Sequence, residues 1–410
     1  MSSDFHRKII AATQLENQVM KDYFLDLDAA AKDPNEKIAW CTSVGPAELL
    51  RGMGFKVHFP ENHGAMLGAT RMSTELIDVA VADGFSPNVC SYMNSDIGSF
   101  LSGKTPLRKA YGIDLPKPDV LVYNTSQCRD VQDWFEWYGR RLGVPALGMR
   151  TPRGIIGHDN DLSRMGTEQL KAMVPQLEAV IGRKMDIDRL RETVESSRQT
   201  SDLWNQCLKT NVHTPAPWTF FDSCIHMGPA VVLRGEPAAS DYYKVLLKEL
   251  QEKVANNDAA VEGEKHRLFW VGIPVWGRIG AQSKLFGQLG ANIIASTYCS
   301  SWVFETLDAA NPLESLGETY TQLYIAGDDT RRMEFVRKSI EEYNIDGMIY
   351  HDAWTCAFTT ECRYGLPARL RDVSDIPYIS INGDLNDLRC YSDEQTSLKV
   401  EAFIEELEGI

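Results

Sequence analysis

Three cysteines and the polar residues around them carry the chemistry this sequence offers. The stretch Ile345–Cys362, reading IDGMIYHDAWTCAFTTEC, runs from an apolar segment into His351, Asp352, Trp354 and Cys356. Cys90 follows Gly84-Phe85-Ser86-Pro87, and Cys128 closes the segment after Val120–Tyr123. A thiol is either a soft metal ligand or a small buried apolar group. Polar neighbours (Asn88, Tyr92, Gln127, Arg129, Trp354, Thr355) favour ligation for these three. Three thiolates round an iron–sulfur cluster leave one iron open to an outside ligand. By the logic that holds for zinc, an open position separates a catalytic metal from a structural one. Spacing alone does not decide: there is no CxxC and no Cys/His zinc pattern, so a metal-free protein with buried thiols stands as the alternative.

The other candidates are fewer. His63 and His351 are each expected to follow a strand and are candidate proton carriers, or structural histidines. Glu61, in Pro60-Glu61-Asn62-His63, reads as a pocket carboxylate or as a helix-capping loop residue. Of the remaining cysteines, Cys41 and Cys299 fall at expected strand ends where they could line a pocket, and Cys207 sits in a helical pattern. Trp134, Phe135, Trp137 and Tyr138 have the helical spacing of core packing. No GxGxxG opens a helix after a strand and no GxxxxGK[ST] occurs, so nothing points to a dinucleotide fold or to an ATPase within this chain.

The elements that must position these residues alternate. Strands are expected at Lys37–Cys41, Phe55–Phe59, Val120–Tyr123 and Ala146–Met149, with a helix at Pro46–Met53 and another at Val131–Leu142. Gly64–Thr70, rich in small residues, reads as a loop or a helix start. From Leu162 to about Ala255 the pattern is helical, interrupted at Pro215-Ala216-Pro217, and the charged segment Asn256–Lys265 reads as a linker. Strands return at Arg267–Ile273, Asn292–Ser296, Ile345–Tyr350 and Tyr378–Ile381, between helices at Ala281–Leu289, Thr330–Tyr343 and Gln395–Leu407. Strands alternating with helices mean parallel sheets. The expectation is an α/β protein of two flavodoxin- or Rossmann-like parallel-sheet domains with a helical middle section. Its parts would be an N-terminal α/β domain with a helical arm over 1–160, the helical section over 161–265, and a C-terminal α/β domain over 266–410. In open sheets of this kind ligands sit at the carboxyl ends of the strands, where Cys90, Cys128 and Cys356, each expected after a separate strand, could meet at one point.

Length and composition agree. A chain of 410 residues exceeds one ordinary core, and 43% hydrophobic with 24% charged residues is a globular composition. A net charge of −15 argues against nucleic acid or an anionic membrane surface as partner. No run approaches the ~20 apolar residues of a membrane span, and the N-terminus lacks a signal-peptide pattern, so a cytoplasmic location is expected. Nine scattered cysteines in a reducing compartment read as thiols rather than disulfides.

Several pieces, in order, resemble the 2-hydroxyacyl-CoA dehydratase / benzoyl-CoA reductase family, and within it the α-type dehydratase subunit. They are Trp40-Cys41-Thr42-Ser43-Val44, Phe59-Pro60-Glu61-Asn62, Val89-Cys90-Ser91-Tyr92, and the strand ending in Cys128 before Trp134-Phe135. Gly272-Ile273-Pro274-Val275-Trp276, then Tyr350-His351 with Cys356, and finally Val400-Glu401-Ala402-Phe403 complete the set. The resemblance covers about Lys37 to Glu406. It implies a [4Fe-4S] cluster held by Cys90, Cys128 and Cys356, with a fourth site open to the substrate oxygen. It also implies a homologous β-type partner subunit and a separate ATP-dependent iron–sulfur activator that delivers one electron, in keeping with the missing P-loop. The implied reaction removes water from a 2-hydroxyacyl-CoA through a ketyl radical. Ser43 matches a family serine near the substrate oxygen, and Glu61 a family carboxylate suggested as acid/base. Where relatives carry Arg-Ser-Cys or Lys-Ser-Cys, this sequence has Trp354-Thr355-Cys356. A benzoyl-CoA reductase-type subunit is the alternative, with Ser43 favouring the dehydratase; a non-catalytic electron-transfer or scaffold subunit is a third reading. Arg150, Arg153 and Arg278 are candidate partners for CoA phosphates.

Overall fold

The structure, a computed structural model, describes residues 10–155, 157–356, 365–371 and 374–409. An N-terminal helix, α1 (Thr13–Ala30), precedes the first α/β unit: β1 (Ile38–Cys41), α2 (Ala47–Met53), β2 (Lys56–His58), α3 (Pro60–Ala69), α4 (Ser73–Ala82), α5 (Ser91–Ser102), α6 (Pro106–Tyr111), β3 (Val120–Asn124), α7 (Asp130–Leu142) and β4 (Ala146–Met149). Five helices follow: α8 (Asp159–Ile181), α9 (Ile187–Lys209), α10 (Phe220–His226), α11 (Gly228–Val232) and α12 (Pro237–Ala255). The second unit comprises β5 (His266–Val271), α13 (Ile279–Gln288), β6 (Ala291–Ser296), α14 (Thr297–Ser300), α15 (Pro312–Thr321), α16 (Asp329–Tyr343), β7 (Gly347–Ala353), α17 (Leu366–Leu370), β8 (Tyr378–Gly383) and α18 (Asp393–Glu408). None of the described helices is long and apolar enough to cross a membrane.

All strand pairs are parallel, and the two four-stranded sheets have the same order, β2-β1-β3-β4 and β6-β5-β7-β8. Both therefore reverse direction between their first and third strands, the topological switch point at which such sheets bind ligands. Strands covered by helices on both faces read as continuous apolar runs. Accordingly β5 is buried throughout, with Leu268 and Trp270 facing the main core and Phe269 and Val271 a second, smaller one. That main core is continuous through both sheets, joining Val120 and Leu121 to Ile349 and Ile381. In α7, Val131, Trp134, Phe135 and Tyr138 form the buried stripe that their spacing predicts. A buried polar hub fastens the helical section to the first sheet. Glu48 on α2 accepts from Ser197 (2.6 Å) and Tyr320 (2.5 Å), beside Arg234, which donates to Gly45 O at 2.7 Å.

Two local expectations change, and a third is decided. β7 runs to Ala353, so His351 and Asp352 pair with Ile381 and Asn382 inside the sheet rather than lying in the loop. Cys90 follows a helix and a turn, not a strand, and stands immediately before α5. The small-residue stretch Gly64–Thr70, open between loop and helix start, belongs to the helix α3 as far as Ala69. Its glycines permit close packing: a Cβ at Gly68 would lie 2.9 Å from the Trp276 Cβ, and one at Gly64 3.2 Å from the Tyr92 Cβ. Cys362 lies outside the described residues.

Candidate active site

The two switch points open onto one cavity of about 380 Å³. From the first sheet, Ser43 lies beyond β1, Glu61 beyond β2, and Gln127 and Cys128 beyond β3. From the second, Gly272 and Ile273 lie beyond β5, Thr297 and Tyr298 beyond β6, and Cys356 beyond β7. Cys128 and Cys356 thus hold corresponding places in the two sheets. Cys90 joins them from the start of α5, so all three predicted thiols line the same cavity.

Their support comes from backbone and buried carboxylates. The Met93 N–H donates to the Cys90 sulfur and the Val131 N–H to that of Cys128, so both sulfurs face the N-terminal turns of helices. The Cys90 N–H donates to Asp130, two residues after Cys128. Asp384, fully buried just past β8, accepts from the Thr355 N–H (2.7 Å), the Asn386 N–H (3.2 Å) and the Ser91 hydroxyl. Thr355 Oγ1 in turn accepts from the Ser91 N–H at 3.0 Å. One carboxylate therefore orients the residues beside Cys90 and Cys356 together. Asp384 was not singled out from sequence; its place just after a parallel strand is the signal that would have found it.

Burial pushes the thiols of Cys90 and Cys128 up, and the charge of Cys356 pushes both further in the same direction. Cys90 and Cys128 therefore resist ionising beside Cys356 unless a cation joins them, and a coordinating metal deprotonates a thiol outright. Among the described residues no three Cys, His, Asp or Glu converge closely enough to hold a single metal ion.

Glu61, in the first turn of α3, accepts from the Ser43 N–H at 2.6 Å and from the Gln127 side-chain amide. Burial raises its pKa, against the opposing effect of these donors. A carboxyl group raised in this way can hold or accept a proton near neutrality. Across the cavity, Trp276 Nε1–H donates to the Tyr92 hydroxyl, which is bonded to Tyr298; burial holds both phenols well above their usual range. Both phenols therefore stay protonated donors.

Other candidates lie elsewhere. His63 is buried between Asp96 (2.6 Å) and Thr105 (3.0 Å), and the second oxygen of Asp96 accepts from Tyr138 at 2.6 Å. His351 Nδ1 lies 2.5 Å from Ile273 O. Neither ring lines the cavity, and neither do Cys41, Cys299, Arg150, Arg153 or Arg278. Cys224 does line it, with its sulfur 4.0 Å from that of Cys299. Arg278 pairs with Asp393 at 3.0 Å, and Arg153 donates to Ile325 O at 2.6 Å. Among the described residues the lining holds the carboxyls of Glu16, Glu61 and Asp130 and no Lys, Arg or His. Trp354, the neutral ring in Trp354-Thr355-Cys356, is 58% exposed, with its indole N–H 3.3 Å from Asn88 Oδ1.

Fold and site together define a two-sheet α/β protein whose paired switch points share one thiol-lined, largely apolar cavity. The chain belongs to the family described as 2-hydroxyglutaryl-CoA dehydratase, D-component, whose profile matches residues 42–407. It is 26% identical over 384 residues to the (R)-2-hydroxyisocaproyl-CoA dehydratase alpha subunit of Clostridioides difficile, covering 92% of each chain. To the lactoyl-CoA dehydratase subunit alpha of Anaerotignum propionicum it is 26% identical over 399 residues, 94% of each chain. A benzoyl-CoA reductase subunit of Thauera aromatica is 26% identical over 389 residues, 91% of this chain and 89% of that one.

Proposed function

We propose that this chain is the iron–sulfur subunit of a cytoplasmic, oxygen-sensitive 2-hydroxyacyl-CoA dehydratase, eliminating water through a ketyl radical. It would work with a homologous β-type subunit and an ATP-dependent iron–sulfur activator. The observation that carries this reading is the meeting of Cys90, Cys128 and Cys356 with Ser43 and Glu61 in one cavity. The donor set fits a [4Fe-4S] cluster: three thiols in one cavity, two of them held protonated by burial and by neighbouring thiolate charge, and amide donors toward those two sulfurs. When bound, such a cluster supplies one-electron chemistry and an iron Lewis acid for a substrate oxygen.

The chain's own residues do the rest. Glu61 carries a proton to or from the substrate, poised by burial and held by the Ser43 N–H and Gln127. Ser43 lies beside both the cavity and Glu61, in position to hydrogen-bond the substrate oxygen. Tyr92 and Tyr298 present phenols that stay protonated. The apolar walls exclude water, which strengthens every polar contact within. Among the described residues the wall offers three carboxyls and no Lys, Arg or His, which favours a position for the CoA phosphates outside the cavity.

Anaerobic purification with the partner subunit, iron and sulfide analysis, and activator-dependent turnover test the proposal. A 2-hydroxyacyl-CoA is expected to turn over and benzoyl-CoA not to; the reverse result would identify a ring reductase instead. Cys356→Ala is expected to lose iron. Near-zero iron in the anaerobic wild-type protein, or full retention in the variant, overturns the ligand assignment.

A further inference from the structure

The cavity extends from the cysteines to α1, where Glu16, Met20, Phe24, Tyr111, Met227 and Val231 form its wall. Glu16 is 8% exposed, and its carboxylate has no hydrogen-bond or ion-pair partner among the described residues. It is unlike the other two carboxyls of the cavity. Glu61 accepts from Ser43 and Gln127, and Asp130 accepts from the Cys90 N–H. Buried acceptors are nearly always satisfied, and an orphan in a cavity wall is an acceptor kept for what enters. Packing does not explain the residue: a Met or Leu would fill the same apolar surroundings without the cost of desolvating a carboxyl. Burial alone moves the Glu16 pKa up to about 7, so the group is readily neutral in the empty cavity.

We infer that Glu16 recognises the acyl end of the substrate, and that the acyl groups taken here end in a hydrogen-bond donor, not a carboxylate. This rests on the acyl-CoA reading above and adds the substrate class to it. A tail ending in a hydroxyl, phenol or amine meets Glu16 with a charge-assisted bond. A carboxylate tail would add a further charge to a wall that, among the described residues, already holds three carboxyls and no Lys, Arg or His. The pantetheine arm is the wrong occupant for this end of the cavity. Its two amide groups would find only the Asn17 amide and the Tyr111 hydroxyl as donors among Met20, Phe24, Met227 and Val231, whereas a hydrocarbon tail with one terminal donor matches both the apolar wall and Glu16.

The test is equilibrium binding to the complex of this chain with its partner subunit. The probes are acyl-CoAs lacking the 2-hydroxyl, which cannot react. Matched series of four to six carbons, with a terminal methyl, hydroxyl or carboxylate, are compared on wild type, Glu16→Gln and Glu16→Met; Glu16→Gln keeps the side-chain shape. In wild type the hydroxyl member of the best-fitting length is expected to bind about 10-fold or more tighter than its methyl counterpart, the range of a hydrogen bond to a charged group. The carboxylate member is expected to bind weakest. The hydroxyl preference disappears in Glu16→Met, and the carboxylate member gains in Glu16→Gln. Equal binding of hydroxyl and methyl tails in wild type, or a preference that survives Glu16→Met, overturns the inference. So does an equal loss of affinity for unacylated CoA in Glu16→Met, which would put the pantetheine arm at Glu16. If no acyl-CoA binds at all, the acyl-CoA reading itself fails, a result distinct from binding that is indifferent to the tail.

Discussion

Glu16→Gln makes the energetics of the cavity wall measurable without any substrate. Burial raises the Glu16 pKa from 4.5 to about 7, with no partner offsetting the change. That rise spans about two and a half pH units, and at about 1.36 kcal/mol for each it corresponds to roughly 3 kcal/mol. The sign follows from which state holds the proton more tightly. Below about pH 4.5 Glu16 is protonated in both folded and unfolded chains, and the carboxyl acts much like the neutral amide of Gln. As the pH rises toward 7 the unfolded chain ionises first, and the fold loses stability relative to the Gln variant. Above about pH 7 the loss is complete. Urea denaturation of the wild type and Glu16→Gln from pH 4.5 to 8, taking the difference at each pH, isolates this contribution because every other carboxyl titrates in both proteins. The variant is expected to gain on the wild type with rising pH, by about 3 kcal/mol at pH 8. A difference independent of pH would show that Glu16 is solvated in the folded chain. A wild type that gains on the variant as pH rises would mean that the fold holds Glu16 as a paired anion. Either result refutes the premise of a buried carboxyl without a partner.

Two further outcomes test the site. Glu61→Gln keeps an acceptor for the Ser43 N–H but cannot exchange a proton, so kcat is expected to fall about 10²- to 10⁴-fold. Binding of an unreactive acyl-CoA should stay within a few-fold, and parallel loss of binding and rate would instead make Glu61 a ligand-holding residue. Asp384→Ala strands the Thr355 N–H, the Asn386 N–H and the Ser91 hydroxyl in a buried position. Buried orphans cost about 1–3 kcal/mol each, so a loss of roughly 3–5 kcal/mol in denaturant unfolding is expected, with lower iron content at equal protein. Iron retained in full would show that Cys90 and Cys356 do not depend on this carboxylate for their placement.

Much of this was legible from residue order, and the misses have physical causes. The parallel α/β alternation followed from strand-length apolar runs between helical patterns, and all eight expected strands form within a few residues of their places. The end of β7 was missed because His351 and Asp352 are polar, yet both pair in the ladder with β8. Polar residues inside a strand mimic its end when burial cannot be seen. Gly64–Thr70 stays open between loop and helix start in the sequence because glycine weakens a helix by about 1 kcal/mol; in α3 Gly64 and Gly68 permit contact with Tyr92 and Trp276. That the three cysteines share one cavity is an inference from loop positions; strand order accounts for Cys128 and Cys356, whereas Cys90 arrives from the start of α5. Glu16 and Asp384 draw their significance from the fold: Glu16 faces a cavity built partly by Met227 and Val231, and Asp384, although its place after a strand is readable, ties Thr355 to the distant Ser91.

The shared cavity also bears on how such a chain can be divided. The segment between α12 and β5 is the natural place to cut the polypeptide into two pieces, each with its own four-stranded sheet. The first piece would keep Ser43, Glu61, Cys90 and Cys128; the second would keep Cys356, Asp384 and Tyr298. Neither inherits a working pocket, because the cavity is an intersection and belongs to no single half. A lineage that duplicated one such sheet unit, or exchanged it with another protein, would carry away the scaffold and leave the chemistry behind.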